Sequence, residues 1–170
     1  SPWFAVNAVM PDLQNTFGWP ATAVGSLTSA LQFGFILGTL VFALLAVADR
    51  FPARRVFLCC ALAGAACTVG AWAMVSDVQA LMAWRFATGL CLAGIYPVGM
   101  KIASQWYTRG LGPALGLLIG ALVLGSASPH ALRALGAHLP WPTLMLGVAA
   151  LSAVAGLLLY ALLPEPPHAP

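Results

Sequence analysis

Long uncharged apolar runs constrain this chain more than any other feature. Only 6% of its 170 residues are charged, 61% are hydrophobic, and the mean hydropathy is +0.93. Soluble domains carry about 25% charged residues, and disordered chains combine low hydrophobicity with high net charge. The composition excludes both of these classes. The sequence therefore predicts an all-α integral membrane protein.

Charged residues, together with Pro and Gly residues between the apolar runs, divide the chain into six apolar segments. A bilayer core of about 30 Å is crossed by roughly 20 helical residues, and five segments reach that length without the alternating polarity of membrane strands. The first segment begins within apolar sequence and is short, so we expect a truncated helix there. Residues 1–170 are taken as one bundle, with predicted helices at 1–17 (partial), 21–48, 56–75, 78–107, 111–132 and 143–163.

Lys and Arg are gathered on one side of the predicted bundle. Five of them lie on one side: Arg50, Arg54 and Arg55 join the second and third helices, and Lys101 and Arg109 flank the link from the fourth helix to the fifth. Arg133 is alone on the other side. Because cytoplasmic loops carry the excess of positive charge, we expect those two loops and the C-terminal tail to be cytoplasmic. The Ala-rich composition and short loops favour a bacterial inner membrane.

Polar side chains in the spans are concentrated on a few helices. Thr28 and Gln32 share one face of the second predicted helix, and Arg85 and Tyr96 share one face of the fourth. Polar groups are costly in hydrocarbon, so we expect them to face one another or a wet cavity. The predicted substrate cavity is formed by Arg85, Gln32, Tyr96, Asn7, Thr28 and His130.

Other interpretations of these residues stay open. Gln32 is also explained by a hydrogen bond to a neighbouring helix, and His130 by a position in the outer interface or the following loop. Arg85 is also explained by snorkelling to the interface. Arg85 is nevertheless the strongest functional candidate, because it is an intramembrane charge with no acidic residue on its own helix.

Small residues at helical spacing predict close helix packing. Such residues let two helix backbones approach, and a proline in a helix interior removes one backbone hydrogen bond. Pro97 frees the Ala93 carbonyl, so we expect the fourth helix to bend there, for gating or for packing. The predicted packing and kink residues are Gly34, Gly38, Gly89, Gly94, Pro97, Gly116 and Gly120.

Several other classes of protein are disfavoured. The net charge of +3 is too small and too scattered for a nucleic-acid surface. The four cysteines lie in apolar runs without the spacing of zinc ligands, so we expect no metal and no cofactor. A membrane enzyme needs a clustered nucleophile, base or metal. Asp77 and His130 offer no such group, and no catalytic residue is predicted.

The loop after the second helix carries the clearest motif. Residues 48–55 read Ala-Asp-Arg-Phe-Pro-Ala-Arg-Arg and resemble the corresponding loop of the major facilitator superfamily, Gly-x-Leu-Ala-Asp-Arg-x-Gly-Arg-Arg/Lys. Four positions match it: Ala48, Asp49, Arg50 and Arg54. Four others depart from it: Leu45, Val47, Pro52 and Ala53. A second stretch, Arg85-Phe86-x-x-Gly89, is similar to the fourth-helix pattern of the same family.

The resemblance implies the N-terminal half of a twelve-helix transporter, a six-helix bundle built as a 3+3 inverted repeat. Its first, second, fourth and fifth helices would line a substrate site near the midplane, and two halves would rock about that site. The implied gating loop contains Asp49, Arg50, Arg54 and Arg55. Asp49 would pair with Arg50 or Arg54 and with a helix N-terminus of the second half.

These observations predict a secondary active transporter that moves a small polar or anionic solute by alternating access. The expected partners are that solute, the lipid bilayer and the C-terminal six-helix half, with no nucleic acid. No Asp or Glu lies inside the five full-length predicted spans, so proton coupling would use His130 or the second half. The alternative is a non-transporting six-helix membrane protein or sensor with the same fold, since fold alone does not fix function.

Overall fold

The described part of the chain is built from α-helices. The computed structural model describes residues 2–20, 22–107, 110–135 and 140–164, without the side chains of residues 111, 128–130, 132, 133 and 135. Within these residues it contains no strand, which confirms the predicted all-α class. The helices are α1 (Ala5–Phe17), α2 (Thr22–Leu44), α3 (Val47–Arg50), α4 (Ala53–Ala73), α5 (Val78–Ala93), α6 (Tyr96–Trp106), α7 (Leu111–Leu135) and α8 (Trp141–Leu162).

Four helical stretches of the described chain are long and apolar enough to cross a membrane. They are Thr22–Leu44, Ala53–Ala73, Val78–Trp106 and Trp141–Leu162. A shorter apolar stretch, Gly112–Ala127, lies within α7, and α1 has 13 residues. The described chain is therefore an apolar helical bundle of the kind that a bilayer surrounds.

Two of the predicted helices are interrupted. The second ends at Leu44 because Ala46 adopts the left-handed conformation with φ 49°, and the short helix α3 follows. The fourth is split at Gly94 and Ile95 into α5 and α6. Pro97 lies in the first turn of α6. An N–H group there has no partner within the helix, so the proline removes no helical hydrogen bond. The bend expected near Pro97 is thus a break between two helices.

Helices α2 and α5 lie with their backbones in contact. A Cβ atom built on Gly34 would overlap the carbonyl oxygen of Phe86, and one built on Gly89 would overlap the carbonyl oxygen of Leu31. Leu27 and Leu31 of α2 are fully buried beside these glycines. Only residues without a side chain permit this approach, so the two glycines fix both the separation and the rotation of the pair.

The other predicted packing glycines fall into two groups. A Cβ on Gly38 would lie 2.7 Å from the Cβ of Ala93, and one on Gly94 would lie 2.8 Å from the ring of Phe42. Both glycines therefore mark tight contacts. No described atom lies within 4 Å of a Cβ built on Gly116 or Gly120. Among the described residues these two glycines make no close helix contact, and their packing role stays a prediction.

The short helix α1 occupies the centre of one core cluster. Val6, Val9 and Leu13 are at most 1% exposed and pack with Leu27 of α2 and Met145 of α8. Burying a side chain of this size stabilises a protein by about 1.5–3 kcal/mol. In the bundle α4 packs against α5 and α8. Helix α1 contacts both α2 and α8 and so joins them through this cluster.

The glycine contact between α2 and α5 predicts a stability difference. Gly89→Ala should lower the melting temperature of the purified protein by several degrees, because overpacking costs about 1–3 kcal/mol. Gly25→Ala is the matched control on α2, since a Cβ there meets nothing within 4 Å. It should leave the melting temperature unchanged or slightly higher. Equal melting temperatures for the two variants would contradict the backbone contact.

Candidate functional site

Arg85 is a buried charge held by backbone carbonyl groups. Its side chain is 2% exposed, on the face of α5 that also buries Leu81 and Thr88. Nη1 donates to the carbonyl oxygen of Pro2 at 2.9 Å, and Nη2 donates to that of Trp3 at 2.6 Å. Among the described residues no carboxylate lies within ion-pair distance of Arg85. Its Nε–H is buried and makes no hydrogen bond.

The electrostatics of Arg85 follow from these contacts. A buried charge is costly unless it is paired and hydrogen-bonded, and here two carbonyl dipoles take the place of a counter-ion. The unpaired Nε–H leaves one strong donor unused. The guanidinium therefore favours an additional acceptor, and a negatively charged one most of all.

A large cavity lies beside Pro2 and Trp3, whose carbonyl groups accept the hydrogen bonds from Arg85. Its volume is about 1060 Å³, and Pro2 and Trp3 line it. The rest of its wall comes from α2, α4, α5, α6, α7, α8 and the residues that follow α6 and α8. None of the described residues that line the cavity is charged, and the aromatic ones are Trp3, Phe4, Phe35, Phe57, Tyr96, Trp106 and Tyr107. Arg85 thus lies one layer behind an apolar, aromatic wall.

A few hydroxyl groups interrupt the apolar lining. Tyr96 of α6, Ser126 of α7 and Ser152 of α8 all line the cavity. Trp3 packs edge-on against Phe35, with ring centroids 5.1 Å apart, which is a preferred geometry for aromatic pairs. The cavity thus offers flat apolar surface for the body of a solute and scattered hydroxyl groups for its polar atoms.

Asn7 and Thr28 pair with each other outside the cavity lining. Asn7 Nδ2 donates to Thr28 Oγ1 at 3.3 Å, and Thr28 Oγ1 donates to the carbonyl oxygen of Val24 at 2.8 Å. The Oδ1 atom of Asn7 is buried without a hydrogen bond. These two residues tie α1 to α2, and in this structure they do not line the cavity with Tyr96.

Gln32 faces away from the cavity, contrary to expectation. It is exposed and lines an open depression with Ser29, Phe33 and Ile36. The reason is the glycine contact, because Gly34 faces α5 and Gln32 lies about 200° from it around the helix. Of the predicted cavity residues the structure therefore places Tyr96 in the lining and Arg85 behind it. The side chain of His130 lies outside the described residues.

The loop after α2 is joined to α6 by an ion pair. Lys101 Nζ donates to Asp49 Oδ1 at 2.5 Å and to the carbonyl oxygen of Ala48 at 2.6 Å. The family resemblance implies a pair between Asp49 and Arg50 or Arg54. Arg54 instead lies over the ring of Tyr160, 5.1 Å from its centroid, and donates to the carbonyl of Leu163 at 3.4 Å.

The ion pair of Lys101 with Asp49 is not predicted by the sequence. There Lys101 contributes only to the predicted orientation of the bundle in the membrane. The contact joins residues that are 52 positions apart, so no local spacing reveals it. One sequence feature sets Lys101 apart: it is the only Lys or Arg between Arg85 and Arg109.

The described chain offers no cluster of metal ligands. No group of three or more His, Cys, Asp or Glu residues in it is placed to hold an ion.

Comparison with known proteins adds the family. The family model of the Major Facilitator Superfamily matches residues 2–170. No curated protein and no solved structure matches the chain. The family match covers the apolar spans, the loop motif at residues 48–55 and the buried Arg85. The chain therefore belongs to the major facilitator superfamily of membrane transporters.

Proposed function

We propose that this chain is the N-terminal half of a secondary active transporter that moves a small polar or anionic solute by alternating access. The observation that carries the proposal is the buried Arg85, which has no carboxylate partner among the described residues and lies near a cavity of about 1060 Å³. Family membership supports transport. The cavity and the charge together support the class of solute.

The proposed solute has an anionic group and an apolar, preferably aromatic, body. The body fits the aromatic wall of the cavity, where ring stacking adds about 0.5–1.5 kcal/mol beyond area burial. The anionic group accepts from the unused Nε–H of Arg85, or takes the place of the Pro2 or Trp3 carbonyl on the guanidinium. Tyr96 is the proposed hydroxyl partner for polar atoms of the solute.

The proposed gate lies at the end of the bundle where α3 meets α6. The pair between Asp49 and Lys101 is exposed, with side-chain exposures of 73% and 25%. Exposed pairs contribute only about 0.2–1 kcal/mol, so such a contact breaks and forms readily during a conformational cycle. We propose that this end of the bundle faces the cytoplasmic side of a bacterial inner membrane, because the Lys and Arg residues are concentrated there.

Arg85 provides the test of the proposed solute class. In vesicles containing the complete protein, initial uptake of labelled small aromatic carboxylates should exceed uptake of their uncharged amides. Arg85→Ala should reduce carboxylate uptake by roughly 10- to 100-fold at low concentration, because a charge-assisted hydrogen bond contributes about 1.5–3 kcal/mol. Arg85→Lys should retain part of it, since Lys keeps the charge and loses the planar fork.

Controls separate binding from folding. Ser29→Ala, on the exposed face of α2, should behave as the wild type, and every variant is compared by melting temperature. Unchanged carboxylate uptake in a folded Arg85→Ala protein would contradict the proposed role of Arg85. Binding of solutes without any uptake by the wild type would instead support the sensor alternative.

The ion pair at the gate predicts a charge-swap result. Asp49→Lys and Lys101→Asp should each lower the uptake rate, while the melting temperature changes little because the pair is exposed. The double variant should recover part of the rate, since it restores the attraction and loses only the Lys101 bond to the Ala48 carbonyl. A double variant no faster than either single variant would contradict a gating pair.

A further inference from the structure

Several cysteines lie where α4 packs against α5. Cys60, Gly64 and Cys67 follow one another at helical spacing and share one face of α4. A Cβ atom built on Gly64 would lie 3.5 Å from the Cβ atom of Cys91 on α5. One built on Gly94, where α5 ends, would overlap the sulfur of Cys60. This face of α4 is therefore turned toward α5 inside the apolar spans.

The thiol groups of Cys67 and Cys91 face each other across this contact. Their side chains are hydrogen-bonded to one another, and both are free thiols. The Cβ atoms of disulfide-bonded cysteines are usually about 3.5–4.5 Å apart. The distance of 3.5 Å from the Gly64 Cβ position to the Cys91 Cβ atom lies in that range. The two helices are therefore close enough at this level for a disulfide to join them.

The other two cysteines have different surroundings. Cys59 is exposed on α4. The sulfur of Cys60 lies beside Gly94 and the ring of Phe42, and both Cys60 and Phe42 pack against a second core cluster. Cys67, in contrast, is half-buried with another half-buried thiol as its direct partner. A cysteine with a second thiol beside it is typical of redox-sensitive sites.

We propose that Cys67 and Cys91 form a thiol pair that hydrogen peroxide converts to a disulfide between α4 and α5. Peroxide is small and uncharged, and both side chains are partly exposed, so it reaches their sulfur atoms. One sulfur attacks a peroxide oxygen, the O–O bond breaks, and the thiol proton leaves with the other oxygen as water. The product is a sulfenic acid.

The second thiol completes the reaction. Its sulfur attacks the sulfenic sulfur, an S–S bond forms, the S–O bond breaks, and the second thiol proton leaves with that oxygen as water. Two thiols are thus oxidised to one disulfide while one peroxide is reduced to two waters. The disulfide would join α4 to α5 close to the helix break at Gly94. The site depends on the packing of α4 against α5 and not on the proposed transport activity.

Peptide mapping tests the proposal in the complete protein. The protein in detergent is treated with hydrogen peroxide, its remaining thiols are blocked, and it is then unfolded and cleaved with trypsin. Cleavage after Arg85 separates Cys67 from Cys91, so two peptides joined through these cysteines should appear and should separate on reduction with dithiothreitol. The melting temperature should rise by several degrees on oxidation, because a cross-link restricts the unfolded chain.

Serine variants identify the pair. Cys67→Ser and Cys91→Ser should each abolish the cross-link, whereas Cys60→Ser and the exposed control Cys59→Ser should retain it. A second cysteine position separates loss of the thiol from loss of the fold. Gly64→Cys in the Cys67→Ser protein places a Cβ atom at disulfide distance from Cys91, so the cross-link should return.

Three results would overturn the proposal. One is a wild-type protein without a cross-link at peroxide concentrations that oxidise the exposed Cys59. Another is loss of the cross-link in Cys60→Ser, which would assign the reaction to Cys60. The third is a cross-link that forms only after Gly64→Cys, because the helices would then be close while Cys67 itself does not react.

Discussion

The backbone contact between α2 and α5 determines how the rest of this bundle is arranged. Gly34 and Gly89 allow two helices to touch at the Phe86 and Leu31 carbonyl groups. That contact sets the rotation of both helices. It turns Gln32 outward, and it leaves Arg85 on the buried face of α5, where the residues before α1 reach it. The position of the charge and the wall of the cavity both follow from one pair of small residues.

The handling of charge differs between the centre and the end of the bundle. Arg85 is enclosed, and among the described residues only carbonyl dipoles balance its charge, so any change in its partners carries a large free-energy difference. Asp49 is exposed and Lys101 is half-buried, and their solvent-accessible pairing is worth little in stability. A carrier needs both kinds of site: a discriminating one for its solute and a readily reversible one for its gate. This division is the physical basis of the proposed cycle.

The sequence predicts the helices well because their signal is local. Apolar runs indicated the all-α class, and the separation of Gln32 from Gly34 on opposite faces of α2 was also readable from helical periodicity. Which of those faces turns inward was not readable, because it depends on where α5 presents Gly89. The partners of Arg85 lie 82 and 83 positions away, and that of Lys101 lies 52 away. Such long-range contacts have no signature in local spacing, and the helix breaks at Ala46 and Gly94 depend on backbone conformations that the apolar pattern does not encode.

The most direct test of the account is accumulation of solute against its gradient. Vesicles containing the complete protein are loaded at equilibrium with a labelled aromatic carboxylate, and a proton or sodium gradient is then imposed. Secondary active transport predicts that the internal concentration rises above the external one and falls back when the gradient is dissipated. An internal concentration that stays equal to that of protein-free vesicles under either gradient and across a panel of solutes would contradict it.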